Sequence, residues 1–130
     1  PDIFIDNHVS NGADYQYKLT YIMTQHNKLG TVLGNFLNTE MMPSLVSDLH
    51  KKGIETTPYV NAFADTPDKG IAQFFESPRY ATGYTSLFNT IGFVVETHML
   101  KKYAERVKVT YEYMRSAIEY TDTNYAKIKQ

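Results

Sequence analysis

Two short apolar runs near opposite ends of the chain, Ile3-Phe4-Ile5 and Ile91-Gly92-Phe93-Val94-Val95, most constrain how it can fold. Runs of this length, bounded by polar and turn-forming residues, have the pattern of buried strands. Asn7-His8 follows the first, and the turn formers Ser10-Asn11-Gly12-Ala13-Asp14 then break it. Glu96 closes the second. Residues 15–24 place Tyr15, Tyr17, Leu19, Tyr21 and Met23 at alternate positions, an imperfect alternation that predicts a second strand or an extended segment. The β-branched and aromatic stretch 54–63 predicts one more.

Helical spacing occupies the intervals. Leu33, Leu37, Met41, Leu45 and Leu49 recur every four residues through 28–52. Lys51 and Lys52 stand where the negative end of the helix dipole would be, and Gly53 suits the residue just past the helix. Pro43 lies inside this pattern and is expected to kink or divide the helix, with Thr39 capping the second piece. Thr66-Pro67 reads as a cap and first residue of a short helix ending before Pro78. The segment 79–89 reads as a loop. Tyr103, Val107, Tyr111, Met114 and Ile118 form the stripe of a long final helix, and the polar residues 121–130 are expected to fray. Strands alternating with helices predict an α/β fold with a mixed, mostly parallel sheet flanked by helices.

The chain has 130 residues, 42% of them apolar, enough for a core that buries roughly two thirds of the unfolded surface. Thirteen basic and fourteen acidic residues give a net charge of −1, with no basic run beyond the pairs Lys51-Lys52 and Lys101-Lys102. A duplex binder needs a basic face that displaces counterions, so nucleic acid is not an expected partner. No apolar stretch approaches the length of a membrane span. The absence of Cys removes disulfides and thiolate metal sites from consideration. Eleven Tyr and seven Phe read chiefly as packing residues.

Ligand sites in open α/β sheets form beyond the carboxyl ends of the strands, where His8 and Glu96 are expected to stand. His8 reads either as a metal ligand or base, or as a histidine bonded to a neighbouring turn. Glu96, at the end of an apolar run, faces partial burial, which raises a carboxyl pKa and costs stability unless the group is paired or used. His98 would share a strand face with Glu96, an arrangement that can bind metal but is a weak signal. His26 and His50 read as surface residues. HExxH, GxSxG, phosphate-loop and EF-hand patterns are absent.

The segment Asp2-Ile3-Phe4-Ile5-Asp6-Asn7-His8 resembles the strand of zinc carboxypeptidases of the carboxypeptidase A type that delivers their third zinc ligand. Tyr80-Ala81-Thr82-Gly83, followed by Gly92-Phe93-Val94-Val95-Glu96, is similar to the family's tyrosine-bearing loop and the strand ending in its catalytic glutamate. The helix from Lys101 onward resembles the family's C-terminal helix. The likeness follows the family's order over nearly the whole chain. It implies that residues 1–130 form the C-terminal part of a catalytic domain. His8 would be a zinc ligand, and Glu96 the general base toward zinc-activated water. Tyr80 would contact substrate, with Arg79 the alternative because the tyrosine's register is shifted. The likeness also implies a peptide or amide substrate and an extracellular or periplasmic location. The family's HxxE and Asn-Arg motifs are missing from this sequence, and Leu87-Phe88 stands where its acidic and aromatic pair is usual. The remaining ligands are expected upstream, and the isolated chain is expected to be inactive. Surfaces left uncovered would favour a homodimer. A deacylase on the same scaffold and a metal-free binding domain are the alternative readings.

Overall fold

The computed structural model describes residues 1–62 and 66–129. It is a mixed α/β structure with a mostly parallel sheet flanked by helices. Strand β1 (Ile3–Ser10) pairs in parallel with β6 (Ile91–His98), which pairs antiparallel with β2 (Leu19–Met23). Strand β3 (Thr56–Pro58) adds in parallel to β2, giving the order β1-β6-β2-β3. Strands β4 (Val60–Ala62) and β5 (Ile71–Gln73) form a separate antiparallel pair. The predicted strand 54–63 is therefore two strands in two sheets, and its last residue, Phe63, lies outside the described residues.

Both terminal strands outlast their apolar runs, because backbone pairing continues from His8↔Glu96 to Ser10↔His98. His8 and Glu96 are thus inside strands, not beyond them. In the predicted strand 15–24, only residues from Leu19 onward pair. Tyr15 instead uses its hydroxyl to donate to the Val60 carbonyl.

Helices α1 (Gly30–Phe36) and α2 (Met42–Lys51) are joined by a π turn, Leu37–Met41. Met42 N–H donates to Leu37 O, five residues back. This corrects the expected break. Pro43 cannot donate an amide hydrogen, and the wider turn absorbs the disturbance while Pro43 sits at the start of α2. Thr39 is no cap, because its hydroxyl donates back to Asn35 O at 2.8 Å. The wide turn also explains how an apolar residue every fourth position stays on one face. Such a stripe drifts around a regular α-helix, and a turn holding extra residues pulls it back. Leu37, Met41, Leu45 and Leu49 are all buried. Gly53, at φ 73°, ends α2 as its position suggests, with Gly53 N–H on His50 O and Ile54 N–H on Leu49 O, both at 2.9 Å.

The short helix predicted after Thr66 is a single 3-10 turn, Pro67–Lys69, because Gly70 at φ 108° turns the chain into β5. The predicted loop 79–89 instead contains α3 (Ala81–Thr85) and a 3-10 turn, Ser86–Phe88.

Helix α4 (Tyr103–Ile128) does not fray at 121; Ile128 is buried, and Lys129 bridges to Asp2 at 2.9 Å. Its buried face is Val109, Tyr113, Ser116 and Ala117. Tyr103, Val107, Tyr111 and Ile118 from the sequence stripe are exposed. On the core face of the sheet, Leu19, Ile91, Phe93 and Val95 pack against α2 and α4, with the Phe93 and Tyr113 rings edge to face at 6.0 Å. No helix among the described residues is long and apolar enough to cross a membrane.

Candidate functional site

The opposite face of the sheet carries the chemistry. Alternate residues of a strand share a face, so Phe4, Asp6, His8 and Ser10 of β1 stand beside Gly92, Val94, Glu96 and His98 of β6. The register sets His8 directly across from Glu96, and Glu96 in turn across from Thr20. Helix α3 closes one end of this face. It can lie against the sheet because Gly92 has no side chain: a Cβ there would stand 2.6 Å from Thr85 Oγ1 and 3.1 Å from Thr82 Cα. Gly83 allows a similar approach to the Ser77 carbonyl.

His8 bridges two carboxylates. Its Nε2 lies 2.8 Å from Asp6 Oδ2, and its Nδ1 lies 3.9 Å from Glu96 Oε1. The ring is half exposed, whereas the Glu96 side chain retains 14% of its exposure. Glu96 Oε2 is buried with no hydrogen-bond partner. Burial pushes the Glu96 carboxyl above its ordinary range; His8 pulls it down and Asp6 pushes it up, each by less. A partly buried carboxyl raised above its ordinary range is a recurrent feature of groups that transfer protons. The face is open, and a cavity of about 550 Å³ lies elsewhere, between Lys18, Lys52, Ile54, Glu105 and Val109.

Zinc is the cofactor that the family resemblance implies. His8 offers one nitrogen donor, and the orphaned Glu96 oxygen is unused by the protein. Among the described residues, no three His, Cys, Asp or Glu side chains converge as a metal site requires. The residues present therefore fit one position of a zinc ligand set and not a whole set.

The other candidates lie apart from this pair. His98 is buried and engaged: its Nε2 is 2.9 Å from Gly12 O, and its Nδ1 accepts from Leu100 N–H at 3.2 Å. With Asp14 3.5 Å away and Lys101 bonded to that carboxylate, His98 pins the loop after β1. Tyr80 precedes α3 and packs edge to face on Phe74 at 4.9 Å; Arg79 is exposed beside it. No hydrogen bond or aromatic contact among the described residues joins either to His8 or Glu96. His26 is partly buried, and His50 is exposed and paired with Glu55 at 2.5 Å. Sequence reading passed over Asp6 because an acid after Ile3-Phe4-Ile5 reads as a strand terminus. The usable signal was its two-residue spacing from His8, which places both side chains on one face. Compared with protein-family models, curated proteins and solved structures, the chain matches none.

Proposed function

We propose that the intact protein hydrolyses a peptide or amide bond near a free carboxylate in the manner of a zinc carboxypeptidase, with this chain supplying part of the site. The observation that carries this reading is His8 in register with Glu96 on adjacent parallel strands, with Nδ1 3.9 Å from Oε1. When bound, zinc would supply the Lewis acidity that makes water a usable nucleophile at neutral pH. Glu96 would be the base for a proton of the attacking water and the acid toward the leaving nitrogen. A carboxyl raised by burial is better matched to both transfers than an ordinary one. His8 would offer one donor to that metal. Tyr80 and Arg79 are the candidate substrate contacts from the 79–89 segment.

Glu96→Gln keeps the side chain's shape and removes its basicity. In the zinc-loaded intact protein, kcat is expected to fall at least about a hundredfold, with zinc content and melting temperature nearly unchanged. Near-normal turnover would end the catalytic assignment. A second reading, a binding domain that uses no metal, is favoured by the incomplete ligand set among the described residues. It predicts no zinc requirement and no loss of ligand binding in Glu96→Gln. A deacylase on the same scaffold differs in cleaving amides that lack the free carboxylate, which a substrate panel with and without that group separates.

A further inference from the structure

The outer face of α4 carries a pattern that the core does not use. Val107, Tyr111, Met114, Ile118 and Thr121 follow one another at spacings of four, three, four and three residues. That alternation is the heptad seam by which one α-helix packs on another; a partner strand would call for a period of two. The chain itself leaves the seam open. The core takes Val109, Tyr113, Ser116 and Ala117, while Val107, Tyr111 and Ile118 keep 49%, 56% and 66% of their exposure and Met114 and Thr121 are half-buried. The one non-helical residue of α4, Asn124, lies beyond the seam. The helix is already held on its own sheet, so a partner does not have to order it.

The flanking charges select the occupant. Laid antiparallel on a second copy, the seam closes on itself: Tyr111 meets Thr121 of the second copy, Met114 meets Ile118, and the twofold axis repeats both contacts. In that register Lys108 stands opposite Asp122 of the second copy, at both ends of the seam. No ion pair among the described residues engages Lys108 or Asp122. Arg115 approaches its own counterpart near the axis, but Glu112 and Glu119 of the same helix already neutralise it, at 3.3 and 3.4 Å. A parallel pairing would set Lys108, Arg115 and Asp122 against Tyr103, Thr110 and Ala117, none of them charged. We propose that α4 pairs antiparallel with α4 of a second copy of this chain along the Val107–Thr121 seam. The pairing depends neither on zinc nor on the His8 and Glu96 pair.

The test uses the 130-residue chain. Light scattering at high micromolar concentration should give a dimer. Ile118→Lys should give a monomer with an unchanged far-ultraviolet spectrum, because Ile118 is exposed. Lys108→Glu and Asp122→Lys should each raise the dimer dissociation constant about fivefold, and the double variant should bring it back. Orientation is read separately. The chain contains no Cys, so Ala104→Cys carries a single spin label. Antiparallel helices centred midway between Tyr111 and Thr121 place the two labels about 36 Å apart along the axis, at 1.5 Å per residue. Parallel helices would place them side by side. A monomeric unsubstituted chain, a dimer that Ile118→Lys leaves intact, or labels side by side overturns the pairing. So does a double charge variant that binds no more tightly than the single ones.

Discussion

Lys52 clamps helix α2 to helix α4 through one ammonium group. Its Nζ lies 2.6 Å from Asp48 Oδ2 and donates to Ser116 Oγ at 2.7 Å, while Ser116 donates to the same Asp48 oxygen at 2.6 Å. The hydrogen bond from Lys52, then that from Ser116, holds the Asp48 carboxyl below its ordinary value of 3.8, against an opposing effect of burial. The sign of the pH effect follows. As pH falls, the unfolded chain takes up this proton before the native one does. The clamp's contribution is therefore complete above 3.8 and is lost as pH falls through the lower native value. The denaturation midpoint of the chain should drop on acidification below pH 3.8, and Asp48→Asn should flatten that drop. Equal slopes for the two proteins would show that Asp48 is not the group responsible. Glu96 works in the opposite sense: burial raises its carboxyl, so its contribution is present in acid and is lost as pH rises through the native value. The expected roles of Gly53 and of the last-turn lysines follow from φ preference and dipole, which are local. The three-way contact of Lys52 with Asp48 and Ser116 joins residues 64 positions apart and leaves no periodic trace in the sequence.

Helix α3 owes its place to a contact that is missing. It has five residues and no amphipathic stripe, so 79–89 reads as a loop; what holds it is its fit against the bare backbone at Gly92. The Thr24 hydroxyl completes the joint, accepting from Gly92 N–H at 2.9 Å and facing Thr82 O at 3.2 Å. Gly92→Ala places a methyl group 2.6 Å from Thr85 Oγ1 and 3.0 Å from Thr24 Oγ1. It should lower unfolding free energy in urea by about 1–3 kcal/mol, the cost of overpacking a filled site. No loss of stability would mean that α3 shifts freely. The final helix teaches the converse lesson. Its existence was plain from 3.6-residue spacing, but spacing does not say which of two apolar stripes meets the core. The stripe with Tyr113 and Ala117 does, because Tyr113 meets Phe93 across the sheet–helix interface. The stripe with Tyr103, Val107 and Ile118 is left in solvent.

Across the whole molecule, the two sheet edges differ. Strand β3 is three residues long and ends at Pro58, which blunts it. Strand β1 has eight residues without Pro or Lys, and beside it Ile118 and Tyr125 of α4 line an apolar groove with Ile3 and Ile5. A second copy of the chain can cover both features, and light scattering at high micromolar concentration should give a dimer. Val9→Lys, a charge on that edge, should shift it toward monomer. A clean monomer from the unsubstituted chain would rule this out. The candidate pair His8 and Glu96 was legible because each follows an apolar run. Their meeting was not, since it depends on β6 lying against β1, and nothing local encodes that neighbour. The strand order has a further consequence for synthesis. At about 5–20 residues per second, β1 and β2 emerge several seconds before β6. They are not neighbours in the sheet; in that interval β1 has no partner and β2 has only the three-residue β3. Contacts such as Thr20 with Glu96, 76 positions apart, and Thr97 with His8, 89 apart, must close large loops, which slows folding. The nascent chain therefore carries β1 unpaired, and β2 open along one edge, until β6 arrives. That interval is when a chaperone has most to protect.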